Sequence, residues 1–401
     1  MDQVAVAPGQ LRRRIGPTLL TLYGIGVMVG AGIYVLVGTV AAGAGVLAPL
    51  AFLVAGLIAA PTALTYAELS VRIPESAGEA AYVHRATKST AMATTVGLVI
   101  AAVGVTSSAA VLRGGIGYLT ELIDLGTTEL MVLLGVALTA IAVWGVLESL
   151  ALAAFLTLVE VVGLILVIQA GLAAAPSDDW TAGPIGTVEL GGFGLATVLA
   201  FFAFIGFEDI VNLAEEVKRP SRTLPIAIIA SLAITSLLYG AVSIAAVRAV
   251  DIGLLGDSDQ PLLLVYERSR QGGTTLLAGI AGAAALNGVL AQIVMAARVL
   301  YGLGRRNRWL APFHRAHPTL RTPVRATVVV GSLALILALA ADVAALAEVT
   351  AILLLAVFCA MNSALLIIKR RTPAAEFATP DWVPWLGLVG SAAGLAVALF
   401  A

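Results

Sequence analysis

Gly24-Ile25-Gly26-Val27-Met28-Val29-Gly30-Ala31-Gly32 sets four glycines in nine residues, in the middle of an uncharged run that extends from Arg14 to Glu68. A helix needs about 20 apolar residues to cross the hydrocarbon core of a bilayer. The run therefore holds two crossings, and Gly43-Ala44-Gly45 with Pro49 supplies the turn between them. Each glycine inside a helix costs about 1 kcal/mol against alanine, so this density has to have a cause. One cause is close packing, because small residues line helix contacts in membranes generally. The other is an interruption of the helix at mid-membrane. A second stretch, Phe201-Phe202-Ala203-Phe204-Ile205-Gly206-Phe207-Glu208-Asp209, opens after Gly191, Gly192 and Gly194 and raises the same question.

The rest of the chain fixes the solvent. Of 401 residues, 60% are hydrophobic and 12% charged, with a mean hydropathy of +1.01. A soluble domain carries about 25% charged residues, so no globular core could absorb this apolar surplus, and lipid must cover much of it. Beyond the first two crossings, apolar stretches run at 91–118, 130–147, 150–172, 191–214, 223–247, 274–303, 324–341, 345–368 and 383–401. The expectation is an all-α polytopic membrane protein with about 11 transmembrane helices. Lys and Arg placement orients it. With the N-terminus cytoplasmic, Arg12 to Arg14, Arg72, Arg85, Lys88, Lys218, Arg219 and Arg222 fall inside. So do Arg305, Arg306, Arg308, Arg315, Arg321, Arg325 and Lys369 to Arg371. Only Arg113, Arg248, Arg268 and Arg270 fall outside, among Asp178, Asp179, Asp251, Asp257 and Asp259. The bias implies a multi-pass protein of the cytoplasmic membrane.

Several function classes drop out. The single cysteine, Cys359, excludes a disulfide framework. His84, His314 and His317 lie in loops with no metal-ligand spacing, so no metal or cofactor is expected. No nucleophile–base constellation and no phosphate loop is present, which argues against an enzyme and against ATP as an energy source. The basic residues form the inside bias and not a nucleic-acid surface.

Five spans separate the two glycine-rich segments, and an odd offset inverts the second repeat relative to the first. Interrupted helices at corresponding positions of inverted repeats point to a transporter's binding site. Breaks are expected near 26–30 and 203–207. A break in span 1 frees the amides near Ala31 and Gly32 and the carbonyls from Ile25 to Met28. Amides with the positive helix end suit a carboxylate, and carbonyls with the negative end suit an ammonium. Such a site would recognise a zwitterion without a charged side chain.

At these residues the sequence resembles the amino acid–polyamine–organocation superfamily, especially permeases similar to cationic amino acid transporters. GIGVMVGAGIYVLVG (24–38) resembles the family's first-span glycine motif, and FFAFIGFEDIVNLAEEVKRPSRTLPIAI (201–228) its sixth span and following loop. TYAELSVRIPESAGEAAYVH (65–84) and ARVLYGLGRRNRWLAPF (297–313) resemble the loops after spans 2 and 8. The resemblance implies a LeuT-like five-plus-five inverted-repeat bundle. A cytoplasmic segment (1–14) would precede a first repeat (15–175), an inverted second repeat (191–369) and span 11 (383–401). It also implies transport of amino acids by alternating access. The substrate carboxylate would lie at the amides of Ala31 and Gly32, beside Gly30, and the α-amino group at carbonyls of Met28, Phe202, Ala203 and Ile205. Phe202 would gate the site. Read without the motif, Phe202, Phe204 and Phe207 are lipid-facing or packing aromatics. Members usually have twelve or more spans, the twelfth often helping dimers form, and here the chain stops in span 11, so a homodimer is an open expectation.

Two intramembrane acids are candidates for proton coupling. Glu160 lies deep in span 5, where a carboxylate costs about 2.5–3.5 kcal/mol on insertion scales. By resemblance it occupies the place where many members carry a lysine that stands in for sodium. Glu208 follows the span 6 break, where the family often has a proton-linked acid. Sodium in this fold is commonly held with Ser or Thr from span 8, yet none lies between Thr275 and Tyr301, which favours the proton. Glu68 and Arg72 are spaced for a structural ion pair. Asn362 suits an interhelical bond, and Asn287 either that or the pathway. Rival readings are a polyamine or organic-amine permease, to which Glu160, Glu208 and Asp209 would be attractive, and a non-transporting membrane sensor or scaffold.

Overall fold

The structure, a computed structural model, describes residues 13, 15–30, 32–74, 78–145, 150–182, 190–269, 273–320 and 322–400. Ala31, most of the 1–14 segment, Glu148 and Ser149 lie outside the described residues. Every regular element among those described is helical, apart from one parallel bridge between Ile15 and Val217.

Among the described residues, eight helices are long and apolar enough to cross a membrane, and with three shorter apolar ones they make up eleven spans. Span 1 is Pro17–Val29 and Ile33–Ala44, and span 2 is Ala48–Arg72. Spans 3, 4 and 5 are Thr90–Leu119, Thr127–Trp144 and Leu150–Ala173. Span 6 is Leu190–Phe202 with the tighter helix Glu208–Glu216, and span 7 is Pro220–Ala249. Spans 8 to 11 are Thr274–Arg306, Val324–Ala340, Val343–Arg371 and Trp382–Phe400. Proline in the first turn starts spans 1, 2 and 7, where its missing N–H is one no helix would use. Ser89 caps span 3 and Asp342 caps span 10, each side chain accepting from an amide three residues on. Span 8, at 33 residues, is about 50 Å long, well beyond a hydrocarbon core of about 30 Å, so it tilts or projects from it. Mid-span hydroxyls return to their own helix. Ser108 donates to Gly104 O and Ser231 to Ala227 O, both at 2.6 Å, which keeps polar groups out of lipid. Leu57, Leu237, Ile336 and Val389 face outward around the bundle, the surface that lipid covers.

Span 2 packs against span 7, span 3 against span 8 and span 4 against span 9. Each pair is five apart in chain order, the pairing of an inverted-repeat bundle whose axis runs between equivalent helices. Both interruptions are present, but the first falls later than the glycine spacing suggests. The helix runs unbroken to Val29 and resumes at Ile33, whereas the second break spans 203–207 as expected. The physical reason is that Gly24 and Gly26 are packing glycines. A Cβ on Gly24 would meet Ile210 at 2.5 Å, and one on Gly26 would meet Thr157 Oγ1 at 2.0 Å. Close packing and interruption therefore share one motif.

The expected polar clasps form. Asn362 donates to Thr62 Oγ1 (2.9 Å) and accepts from Thr65 (2.7 Å), joining span 10 to span 2. Glu68, fully buried, pairs with Arg72 at 2.6 Å and accepts from the Thr379 amide and hydroxyl. Lys369 lies 3.4 Å from the same carboxylate. Arg72 also donates to the carbonyls of Thr372 and Pro373, so the link between spans 10 and 11 is strapped onto span 2. Removing one partner of a buried pair costs about 3–5 kcal/mol. Arg72→Ala should therefore lower the thermal unfolding temperature of the purified protein clearly, toward the lower end because Lys369 remains. An unchanged unfolding temperature would show the strap to be energetically idle.

Candidate functional site

The two interruptions cross one another. At the first, Gly30 N–H still reaches Gly26 O (3.0 Å), and Gly32 O accepts from Leu36 N–H (2.9 Å) to open the second half of span 1. At the second, successive amides of Ala203, Phe204 and Ile205 bond three residues back, to Ala200, Phe201 and Phe202. The chain then turns at Gly206, whose φ of 125° suits only glycine. A Cβ on Gly206 would lie 2.6 Å from Val27 Cγ1 and 3.1 Å from Met28 N. On the other side, a Cβ on Gly32 would lie 2.2 Å from Ala203 Cα. The backbones of spans 1 and 6 thus touch at both breaks, and a turn of span 8 joins them where Ala284 O and Gly288 N approach Gly30.

One side chain ties the breaks together. The Tyr239 hydroxyl, on span 7, lies 2.8 Å from both Met28 O and Ala203 O. A phenol has a single proton, which is shared between Ala203 O and Met28 O, the latter also within reach of Gly30 N–H. Its ring stacks edge-on with Phe204 at 5.2 Å and Phe52 at 5.9 Å. Phe201, Phe202, Phe204 and Phe207 are all buried, which excludes the lipid-facing alternative for these aromatics. Phe201 and Phe207 pack on Phe358 of span 10, and Phe207 also on Tyr66 of span 2.

Of the residues expected at the site, Met28, Gly30, Gly32, Phe202, Ala203 and Ile205 converge on this crossing, and Ala31 lies outside the described residues. Glu208 accepts from Gly206 N–H at 3.0 Å, so its carboxyl caps the break in its own span. Glu160 forms a separate wall. It accepts from Asn287 Nδ2 at 3.2 Å through Oε1, and its backbone carbonyl accepts from the Tyr34 hydroxyl at 2.9 Å. Asn287 therefore bonds between helices, and Ala284 and Gly288 on its own turn touch Gly30. Thr157, one turn before Glu160, is the span 5 residue against Gly26.

Sequence reasoning missed Tyr239, Tyr34 and Gln292. Tyrosine gathers at membrane interfaces, so one lying mid-span between Leu238 and Gly240 was a readable signal. Gln292 donates to Asp209 at 3.1 Å and had no such signal. A further acid was also missed. Glu79, on the helix Gly78–Thr87 at the same end of the bundle as the N-terminus, lies within electrostatic reach of Glu208 and Asp209. Burial pushes its carboxyl up to about 7. A folded value above the unfolded one means that its contribution is full below about 4.5 and lost as pH rises toward 7. Raising the pH from 5 to 8 should thus lower thermal stability, and Glu79→Gln should flatten that dependence. Identical pH profiles for both proteins would refute it.

The family model described as amino acid permease matches residues 16–401. The chain belongs to the amino acid permease family. The superfamily resemblance read from the motifs thus holds, and the multi-pass helical bundle is that of a permease. This permease is 28% identical to a methylthioribose transporter of Bacillus subtilis, over 95% of this chain and 87% of that protein. It is 28% identical to a branched-chain amino acid permease of the same bacterium, over 93% and 84%. It is 30% identical to the vacuolar cationic amino acid transporter 4 of Arabidopsis thaliana, over 94% of this permease but 65% of the plant protein.

Proposed function

We propose that this permease carries α-amino acids across the cell membrane by alternating access, with protons as the coupling ion. The observation that carries the reading is the crossing of two interrupted helices at Gly32–Ala203 and Gly206–Met28. Half-helix ends in the middle of a membrane bundle offer complementary poles to a carboxylate and an ammonium. The amides of Ala31 and Gly32 would take the carboxylate, and the carbonyls of Met28, Phe202, Ala203 and Ile205 would surround the ammonium. Phe202 would close over it. The repeats would be 15–175 and 191–369, with the N-terminus cytoplasmic, as the basic residues on that face support.

Glu208 and Glu160 are the proposed proton carriers. Both are buried, and among the described residues neither has an ion-pair partner. A charge so placed is costly, whereas a carboxyl that gains and loses a proton during the cycle is not held permanently charged. Glu208 sits where movement of the span 6 break would change its bond to Gly206.

The test is ligand-induced thermal stabilisation followed by uptake into proteoliposomes. A ligand that binds only the folded state raises its stability. Free amino acids should stabilise the permease, while the matching methyl esters and amines bind roughly ten- to hundredfold more weakly, because each leaves a desolvated partner unpaired at about 1–3 kcal/mol. Glu208→Gln should retain binding and lose the pH dependence of uptake. Uptake that needs a sodium gradient and ignores pH would overturn the coupling. Because one relative is named for methylthioribose, that sugar belongs in the screen, and putrescine tests the amine reading.

A further inference from the structure

Three of the carbonyls proposed to receive the substrate's ammonium are engaged in this structure. Met28 O and Ala203 O share the Tyr239 hydroxyl, and Phe202 O accepts from Ile205 N–H. In the neighbouring wall, the Glu160 carboxyl keeps one oxygen unengaged among the described residues. Glu160 is 2% exposed, its Oε1 is bonded by Asn287, and its Oε2 is buried with no hydrogen-bond partner among the described residues. Three observations put Glu160 at the break. Tyr34, two residues past Gly32, bonds its backbone carbonyl. Asn287, which holds Oε1, belongs to the turn of span 8 that touches Gly30. Tyr239, which holds the two carbonyls, is within electrostatic reach of it.

A buried carboxyl oxygen without a donor is a rare and costly feature. Among the described residues, nothing around Glu160 supplies a cation. Span 1 faces it with Tyr34 and span 7 with Tyr239, span 8 brings neutral Asn287, and span 3 reaches it only through Tyr118, which bonds Tyr34 O. The helix Pro261–Glu267, also packed on span 5, carries Tyr266 and Glu267.

We infer that Glu160 is a single acceptor for which a proton and the substrate's α-ammonium compete, so that one proton leaves for each amino acid bound. The inference rests on the proposed amino acid site and specifies its coupling. The exchange balances: the protonated carboxyl loses its O–H proton to water, the carboxylate left behind accepts an N–H of the incoming ammonium to form a neutral pair, and the substrate's own carboxylate brings one negative charge to the amides of the break. Substrate and proton then occupy Glu160 in turn, which is the binding step of an exchanger and not of a symporter. The ammonium's other N–H groups remain free for Met28 O and Ala203 O once Tyr239 turns away.

The experiment is calorimetric titration of the purified permease with the twenty amino acids, and with isobutylamine and cadaverine. It is run at one pH in buffers of different ionisation enthalpy, and then across pH. The expected result is release of about one proton per amino acid bound, with affinity rising up to about tenfold per pH unit in the range where Glu160 titrates. Glu160→Gln should bind more weakly, release no proton and show a flat pH profile. Proton counting on the unmodified permease stands even if that variant folds poorly. Zero release, proton uptake, or release that persists in Glu160→Gln would overturn the inference while leaving the amino acid site intact. Binding of isobutylamine with proton release, and of no amino acid, would keep Glu160's role and sink the amino acid reading. Binding of none of these probes would overturn both.

Discussion

Gly206→Ala is expected to abolish transport, the largest loss from any single methyl in this permease. Two effects add at that position. The backbone sits at φ 125°, in a region that side chains rarely adopt, and holding a non-glycine residue there costs about 1–3 kcal/mol. The added methyl would also lie 2.6 Å from Val27 Cγ1 and 3.1 Å from the Met28 and Val27 backbone, which cannot swing aside as a flexible side chain can. Spans 1 and 6 would be pushed apart where their half-helix ends must converge. A displacement of about 1 Å in a binding constellation is enough to cost roughly a hundredfold in turnover. The control is Gly302→Ala on span 8, where a Cβ meets nothing within 4 Å. It should leave transport unchanged and add helix propensity worth up to about 1 kcal/mol. Proteoliposome uptake on both variants decides the matter. Near-normal uptake by Gly206→Ala would mean that the contact between the breaks is not needed for the cycle.

Tyr239→Phe should have the second-largest effect, and a different signature. The ring keeps its packing against Phe52 and Phe204, so no cavity opens. What disappears is the hydroxyl between Met28 O and Ala203 O. The two buried carbonyls then lose the one hydroxyl proton they share, at about 1–3 kcal/mol for a group left unpaired. The substrate-free protein should unfold at a lower temperature. A saturating amino acid should restore more stability to the variant than to the unmodified permease, because its ammonium then reaches those carbonyls without displacing the hydroxyl. A variant with unchanged substrate-free stability and an unchanged ligand shift would show that Tyr239 does not hold the breaks.

The membrane class, the number of spans and the neighbourhood of both interruptions were legible in the chain because they depend on local composition. An uncharged run from Arg14 to Glu68 can only be buried in lipid, and glycines clustered at mid-span must be spent on packing or on a break. The Glu68–Arg72 pair was legible for the same reason, since four residues along a helix fix the geometry in advance.

What the glycines do individually was not legible. Gly24 and Gly26 look identical in sequence to Gly30 and Gly32, yet the first two sit against Ile210 and Thr157 while Gly32 sits against Ala203. That distinction is made by helices far away in the chain, as are the partners of Glu160, Asp209 and Tyr239. Asn287 lies 127 residues from Glu160, Gln292 lies 83 from Asp209, and Met28 lies 211 from Tyr239. A sequence states which polar groups must be satisfied inside a membrane. Only the packed bundle, by bringing distant spans within hydrogen-bond reach, decides which groups satisfy one another and which, such as Glu160 Oε2, stay without a partner among the described residues.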